Sequence, residues 1–166
     1  MNEALLSSKR MDWNTPEEVL ELVRKVAPIG LDPCSNVTSK VKASAAWLSG
    51  GLEVDWGGFG LVYVNPPYGR ELKQWAFKII AEQNKGTEII ALVPSRTDTQ
   101  WFQMLFEQCD RVCFWKGRIT FVGAPAPAPF PSAVFYFGHR PKDFEIAFED
   151  TGIVTDAYAV DVCAYC

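Results

Sequence analysis

The sequence lacks the features that mark membrane and secreted proteins. No apolar run approaches the roughly 20 residues that a membrane-spanning helix needs, and residues 1–10 contain no apolar core of a signal peptide. The odd number of cysteines, five, argues against a disulfide framework. We therefore expect a soluble, cytoplasmic protein that has no membrane partner and keeps its cysteines reduced.

Support for a metal site is also weak. Cys163 and Cys166 form a C-x-x-C pair that Cys109 and Cys113 could complete to a four-thiolate zinc site. The spacing of Cys109 and Cys113 does not match the common zinc knuckles, and burial in a strand explains Cys113 equally well. No metal is predicted.

An excess of basic residues is missing too. The net charge is −4, but residues 141–166 carry one lysine and six acidic residues, which leaves +1 for the other 140 residues. A nearly neutral body neither provides a strong basic surface nor excludes DNA as a partner. The 166 residues suffice for one domain with its own core, and the 48% hydrophobic content excludes a disordered chain.

Apolar segments typical of strands alternate with segments that have the periodicity of helices. The predicted strands are residues 29–31, 59–64, 89–93, 112–115, 119–122 and 133–137. The predicted helices are residues 16–27, 72–85 and 98–106. This alternation favours a single-domain α/β fold with a mainly parallel central sheet, an antiparallel edge and helices on both faces.

Capping residues predict where two of these helices begin. Thr15 is the expected cap of the first helix, with Pro16 at its first position and Glu18 completing a capping box. Thr97 or Asp98 is the expected cap of the third helix.

The C-terminal segment is ambiguous. Residues 144–148 and 153–154 could form a hairpin around residues 150–152. We divide the chain into a flexible N-terminus (1–12), a catalytic domain (13–140) and an acidic C-terminal extension (141–166).

Polar residues follow three of the predicted strands. Asp32, Asn65 and the pair Ser95–Arg96 each stand where a strand ends. Ligands of parallel α/β sheets bind beside the carboxyl ends of the strands. The topology therefore places these residues together on one edge of the sheet.

Asn65-Pro66-Pro67-Tyr68 is the most informative motif. Two prolines fix two backbone φ angles and remove two N–H donors. The side-chain oxygen of Asn65 and the carbonyl of Pro66 can then form a pair of fixed acceptors, with the ring of Tyr68 beside them. A planar amino group on a ring could donate both hydrogens to this pair and stack on Tyr68.

This arrangement suits methylation of an exocyclic amine. The lone pair of an aromatic amine is delocalised into its ring, and two acceptors on its hydrogens draw the nitrogen towards tetrahedral geometry. Positioning and electrostatics then dominate catalysis, and no strong base is required. A base in a duplex must be flipped out for this chemistry. Stacking on Tyr68 can offset roughly 1–3 kcal/mol of the free-energy cost of flipping.

The chain resembles the phage N6-adenine DNA methyltransferases, a compact group of the S-adenosylmethionine-dependent class I methyltransferases, over roughly residues 12–138. The resemblance rests on six segments: Asp12-Trp13-Asn14-Thr15-Pro16, Leu31-Asp32-Pro33-Cys34, Asn65-Pro66-Pro67-Tyr68-Gly69-Arg70, residues 92–102, residues 116–121 and Ala128-Pro129-Phe130-Pro131-Ser132. It departs from the usual pattern at residues 32–36, which replace the glycine-rich turn after the first strand. No residue clearly matches the second acidic group that grips the cofactor ribose, although Glu53 is a candidate.

The resemblance implies a Rossmann-like fold, double-stranded DNA as substrate and action in a bacterial host as a phage or prophage protein. The catalytic residues it implies are Asn65, Pro66, Pro67 and Tyr68. The residues it implies for S-adenosylmethionine are Trp13, Thr15, Pro16, Asp32, Pro33, Cys34, Asp55 and Asn65.

DNA contacts are assigned to basic residues that follow the strands and to the proline-rich loop. The candidates are Arg70, Arg96, Lys116, Arg118 and Ser132. A chain this small has no separate recognition domain, so residues 116–132 are expected to recognise the bases. Two alternatives stay open: methylation of cytosine N4 or of a protein glutamine, and a catalytically inactive relative that binds DNA or a protein.

Overall fold

A computed structural model describes residues 13–157 as one mixed α/β sheet with flanking helices. Its strands are β1 (Ile29–Asp32), β2 (Ala45–Ala46), β3 (Leu61–Val64), β4 (Ile89–Pro94), β5 (Arg111–Trp115), β6 (Ser132–Phe137) and β7 (Gly152–Thr155). Its helices are α1 (Glu17–Val26), α2 (Leu72–Asn84), α3 (Gln100–Gln108) and α4 (Pro141–Phe148). The predicted α/β class is confirmed.

The seven strands lie in the order β2-β1-β3-β4-β6-β5-β7. β1 is parallel to β2 and β3, and β3 is parallel to β4. β6 is antiparallel to both β4 and β5, and β7 is antiparallel to β5. β5 therefore points the same way as β1–β4, and the antiparallel part is broader than the predicted edge.

The central strands are buried on both faces. Every residue of β1, β3, β4 and β6 is buried, so helices must cover both sides of the sheet. α1 packs against α4, and α2 packs against α3. Gly30 in β1 allows the close approach of the chain before β3, since a Cβ there would lie 1.6 Å from the carbonyl oxygen of Phe59.

The strand order reverses at β1. The chain leaves β1 for β2 on one side and then returns to β3 on the other side. Ligands of open α/β sheets bind beside such a reversal, at the carboxyl ends of the strands. Asp32 and Asn65 stand at the ends of β1 and β3, so the fold brings them to this position.

Residues 119–122 do not form the predicted strand. The N–H of Val122 donates to the carbonyl of Asn14 (2.9 Å), and the N–H of Ala128 donates to the carbonyl of Ile119 (2.8 Å). Ile119 and Phe121 are buried although their segment is a loop. Their apolar character comes from burial of loop side chains rather than from a strand.

The predicted hairpin within residues 144–154 is wrong. Residues 141–148 form α4, which begins at Pro141 and buries Phe144, Ala147 and Phe148 at helical spacing. β7 then pairs with β5. Within the described part of the chain, residues 141–155 thus belong to the same sheet and its helical layer.

Both predicted caps are wrong as well. Pro16 is the N-cap residue of α1, which has no side-chain cap, because Thr15 is hydrogen-bonded elsewhere. Thr99 caps α3, where its side chain accepts from the N–H of Phe102 at 3.4 Å. β2 escaped prediction because its two residues are too few to show a period.

Residues 1–12 and the pair Cys163–Cys166 lie outside the described residues. Within residues 13–157, no cluster of histidine, cysteine and acidic side chains could hold a metal ion. No helix in the same span is long and apolar enough to cross a bilayer.

Candidate active site

A pocket opens at the carboxyl ends of β1 and β3, where the strand order reverses. Its lining is largely polar and comes from the segment before α1, the end of β1, the loop before β2 and the end of β3. The lining residues are Trp13, Asn14, Thr15, Asp32, Cys34, Asn36, Ser39, Val41, Asn65 and Pro67. Five of the residues assigned above to the cofactor therefore meet in one place.

The amide of Asn65 has a defined orientation. Its Nδ2 donates to the carbonyl oxygen of Trp13 and, at 3.0 Å, to Oγ1 of Thr15. A backbone carbonyl can only accept, so the amide must present its NH₂ group to Trp13. Oδ1 is buried and has no hydrogen-bond partner among the described residues, which leaves it free to accept from a ligand.

Thr15 links the segment before α1 to the sheet. Its side chain is buried, and its Oγ1 lies 2.8 Å from the hydroxyl of Tyr63 in β3. The same oxygen accepts from Nδ2 of Asn65, so Thr15 is hydrogen-bonded to both Tyr63 and Asn65 near the end of β3. This bonding explains why Thr15 does not cap α1.

Asp32 provides a buried carboxylate in the pocket. It accepts from the N–H of Cys34 at 3.2 Å and from the hydroxyl of Ser39 at 3.4 Å. Burial raises the pKa of Asp32, although hydrogen bonds from Ser35 and Cys34 oppose the change. No cationic side chain within residues 13–157 pairs with it, so its charge is available to a cationic or hydroxyl-bearing ligand.

Cys34 is a neutral thiol in this pocket. Burial and the neighbouring Asp32 raise its pKa well above the usual value. A nucleophilic role would require the thiolate, so Cys34 contributes surface and a weak hydrogen-bonding group rather than covalent chemistry.

Tyr68 belongs to an aromatic cluster beside Asn65. Its ring packs edge-on against Phe121 and Phe130, with centroid distances of 6.1 and 5.5 Å. Trp13 contacts the same two phenylalanines at 5.3 and 5.5 Å. The hydroxyl of Tyr68 donates to the carbonyl of Leu92 at 3.2 Å, which fixes the ring from the sheet side.

Four of the five DNA-binding candidates are exposed at the same edge of the sheet as the pocket. Arg70, Arg96, Lys116 and Arg118 follow the carboxyl ends of β3, β4 and β5, which all point the same way. None of the four forms a salt bridge within the described residues, whereas Lys78, Lys85, Arg111 and Arg140 are all paired with carboxylates.

The sequence matches the family described as DNA N-6-adenine-methyltransferase (Dam) over residues 3–130. The chain belongs to this family. A comparison with curated proteins finds no match. The family membership confirms the resemblance to N6-adenine methyltransferases.

The pocket of this Dam-family chain includes residues that sequence analysis missed. Asn14 accepts from Nδ2 of Asn36 at 2.6 Å and donates to Oγ1 of Thr38 at 2.7 Å, which ties the segment before α1 to the loop after β1. Ser39 and Val41 complete the wall. Their loop has no periodicity, and nothing in the sequence distinguishes these residues from ordinary loop residues.

Several predicted residues lie outside the lining of the pocket. Asp55 is exposed and pairs with Lys85 at 2.8 Å, and hydrogen bonds from Lys85 and from the N–H of Gly57 lower its pKa. Pro16, Pro33 and Pro66 are neighbours of lining residues without being part of the wall themselves. The structure thus does not bring Asp55 to the other candidates.

Ser132 differs from the other DNA-binding candidates because it is buried. It stands at the start of β6, paired with Pro94, and its hydroxyl oxygen has no hydrogen-bond partner among the described residues. It lies at the pocket edge of the sheet but is not exposed to DNA in this conformation.

Proposed function

We propose that the protein transfers a methyl group from S-adenosylmethionine to the exocyclic N6 of a flipped-out adenine in double-stranded DNA. The observation that carries the proposal is the free Oδ1 of Asn65. Its amide is oriented by Trp13 and Thr15, so the oxygen is prepared to accept from an amino group. Membership of the Dam family supports N6 of adenine as that group.

The pocket beside Asn65 fits S-adenosylmethionine in its chemistry. The cofactor carries an ammonium group, a sulfonium centre and ribose hydroxyls, all of which suit the buried carboxylate of Asp32, which has no cationic partner within residues 13–157. Trp13, Thr15 and Cys34 would hold the cofactor together with Asp32. When bound, S-adenosylmethionine supplies the methyl group, and its sulfur keeps the electron pair of the broken C–S bond.

Asn65 then acts on the acceptor nitrogen. One amino hydrogen donates to its Oδ1 and the other to the carbonyl of Pro66, which localises the nitrogen lone pair towards the methyl group. A new N–C bond forms, and the nitrogen releases one hydrogen as a proton to water. Because the nitrogen becomes acidic as it forms this bond, no base from the protein is needed, consistent with a neutral Cys34.

DNA binding is assigned to the exposed edge around the pocket. Arg70, Arg96, Lys116 and Arg118 are free to contact phosphates, which position the duplex without reading its sequence. The ring of Tyr68 would stack on the flipped base. Because Tyr68 is buried beneath Phe121 and Phe130, we expect residues 116–131 to move when the base enters.

The finer fold assignment, a Rossmann-like class I methyltransferase, belongs to the same proposal. The reversal of strand order between β2, β1 and β3 supports it, as does the position of the pocket at that reversal.

The test is methyl transfer from tritiated S-adenosylmethionine to unmethylated double-stranded DNA, with RNA and protein as parallel acceptors. We expect label in DNA, recovered as N6-methyladenine after digestion to nucleosides. Recovery of N4-methylcytosine or of labelled protein would contradict the adenine assignment. Absence of transfer to all three acceptors by a folded protein would identify a catalytically inactive binding relative.

A further inference from the structure

Tyr63 places a polar group inside an otherwise apolar strand. All four residues of β3 are buried, and Tyr63 has no exposed surface. A phenylalanine would fill almost the same space without bringing a hydroxyl into the core. Tyr63 precedes Asn65 by two residues, and alternate residues of a strand point to the same face. Its hydroxyl is thus directed to the side of the sheet on which the amide of Asn65 lies.

The hydrogen bonds around Thr15 limit the orientation of its hydroxyl group. The single hydrogen bond of the Tyr63 hydroxyl within the described residues is the 2.8 Å contact with Oγ1 of Thr15. Either hydroxyl can donate in this contact, and in both directions the hydroxyl hydrogen of Thr15 points away from Asn65. Nδ2 of Asn65 donates to the same oxygen at 3.0 Å. Oγ1 of Thr15 therefore keeps a lone pair for Asn65 whichever hydroxyl donates in the contact with Tyr63.

We propose that Tyr63 is a positioning residue for methyl transfer, acting through Thr15 to hold the amide of Asn65 with Oδ1 free for the target amino group. The role rests on the function proposed above. With Tyr63 present, the contact between the two hydroxyls holds the Thr15 hydroxyl in a rotamer whose hydrogen does not face Asn65. Thr15 is thereby fixed as an acceptor, and the second N–H of Asn65 keeps its partner.

Removal of the Tyr63 hydroxyl frees Thr15 to rotate its hydroxyl hydrogen. The amide of Asn65 then keeps only the carbonyl of Trp13 as a fixed acceptor, and Oδ1 is less well oriented. Burial raises the pKa of Tyr63, so the phenol retains its proton at every pH where the protein is assayed. The effect of the hydroxyl is therefore independent of pH over that range.

The test is Tyr63→Phe in single-turnover methylation at saturating S-adenosylmethionine and DNA. We expect the rate to fall about five- to tenfold, the equivalent of one well-formed hydrogen bond, with little change in the KM for either substrate. Tyr136→Phe is the matched control. Tyr136 is also a fully buried tyrosine of the sheet, but its hydroxyl donates to Glu88 at 2.6 Å, away from the pocket. Its folded fraction should react at the wild-type rate.

A double mutant separates positioning from a general structural effect. If Tyr63 acts through Asn65, Tyr63→Phe should cause no further loss in an Asn65→Ala background, since coupled residues are not additive. Thr15→Ser should keep most of the rate, whereas Thr15→Val should lose at least as much as Tyr63→Phe. A wild-type rate for Tyr63→Phe, or the same proportional loss in the Asn65→Ala background, would overturn the proposal.

A readout that needs no reaction distinguishes this proposal from the proposed function. The side-chain amide hydrogens of Asn65 should exchange with solvent faster in Tyr63→Phe than in the wild type or in Tyr136→Phe, as measured by NMR. Unchanged exchange would overturn the positioning role. Absence of adenine methylation by the wild-type protein would instead overturn the proposed function.

Discussion

At the scale of single residues, the site depends on which atoms of each side chain are already bonded. The NH₂ group of Asn65 is held by Trp13 and Thr15, so its oxygen remains free to accept a hydrogen bond. The carboxylate of Asp32 has hydroxyl and N–H donors but no cation within the described residues, so in the proposed function its charge is available to the cofactor. Both side chains are oriented before any ligand binds, which lowers the cost of binding.

Asp32 should make cofactor binding depend on pH. Burial raises the pKa of Asp32, and protonation removes the charge that attracts the cationic cofactor. Affinity should therefore fall as the pH drops through this raised pKa. Asp32→Asn should bind about 10- to 100-fold more weakly at neutral pH, the usual loss for a hydrogen bond to a charged group, and should lose this pH dependence.

Isothermal titration calorimetry with S-adenosylmethionine over a range of pH checks both expectations. Asp32→Asn keeps a side-chain oxygen for the N–H of Cys34 and so preserves the turn. Wild-type affinity that does not change with pH, together with an unchanged affinity of the folded variant, would remove Asp32 from the cofactor site.

The sequence was sufficient to select Asn65, Asp32 and Thr15 as candidates, but not to assign their bonds. Asn65 and its partner Thr15 are 50 residues apart, and the contact exists only because the segment before α1 crosses the end of β3. Local rules favoured Thr15 as a helix cap. The tertiary hydrogen bonds to Tyr63 and Asn65 prevailed because Thr15 and Tyr63 are buried, and an unpaired polar group is costly away from bulk water.

At the scale of elements, the loop between β5 and β6 connects the aromatic cluster to the exposed edge. Its buried positions, including Phe121 and Ala128, hold it to the pocket, while Pro125, Ala126 and Pro127 are exposed. The exposed turn is not part of the lining of the pocket at β1 and β3. Prolines stiffen it, so it loses little entropy when it orders on DNA.

Replacement of Pro125-Ala126-Pro127 by Gly-Ser-Gly should impair DNA methylation more than cofactor binding. The added flexibility raises the entropic cost of ordering the loop on DNA, whereas the buried residues that hold the pocket are unchanged. We expect a several-fold higher KM for DNA and an unchanged Kd for S-adenosylmethionine. Equal losses of both affinities would show that the turn has a structural role only.

Element boundaries illustrate where sequence rules were too coarse. Three consecutive residues, Thr97, Asp98 and Thr99, can each cap a helix, and in the structure the cap is Thr99, which accepts from the N–H of Phe102. α4 was mistaken for a strand because its apolar residues Phe144 and Phe148 are aromatic. Their helical spacing and Pro141 at the helix start were the stronger indications.

At the scale of the whole molecule, the two ends of the sheet carry different kinds of polar groups. The carboxyl end carries the pocket and the free basic residues, while the other end is held by a buried polar cluster. Arg140 pairs with the carboxylate of Glu88, which also accepts from the hydroxyl of Tyr136 at 2.6 Å. Arg140 in addition donates to the carbonyl of Val26 at 3.4 Å. The cluster joins β4, β6 and the start of α4 to the end of α1.

This cluster should make stability depend on pH. Burial raises the pKa of Glu88, but hydrogen bonds from Arg140 and Tyr136 outweigh burial, and the net pKa is lowered. The stabilising contribution is therefore complete above the unfolded-state pKa of glutamate, near 4.3, and is lost as the pH falls through the lower native value. Glu88→Gln should reduce the free energy of unfolding at pH 7 by about 1–3 kcal/mol.

Urea denaturation of both proteins as a function of pH measures this contribution. The difference between wild type and Glu88→Gln should shrink towards zero as the pH falls below the native pKa of Glu88. A difference that stays constant from neutral to acidic pH would show that the glutamine acts through packing rather than through charge.

The α/β architecture was predictable because strand and helix periods alternate over most of the chain. The sequence did not predict the direction of β5 relative to β4 or the addition of β7 to the far edge of the sheet. These pairings join segments that are distant in sequence. Family membership over residues 3–130 supports the reaction class, whereas the roles of individual atoms at the ends of β1 and β3 are part of the proposed function.

The most direct test of the account is the single-turnover rate of adenine methylation by Asn65→Ala at saturating S-adenosylmethionine. The substitution removes one of two acceptors and leaves the carbonyl of Pro66 and the ring of Tyr68 in place. Loss of a preorganised contact of this kind lowers rates about 100- to 1000-fold, and single-turnover conditions exclude product release as the cause. We predict a loss of that size in a folded variant, whereas a wild-type rate would show that Asn65-Pro66-Pro67-Tyr68 is a structural turn.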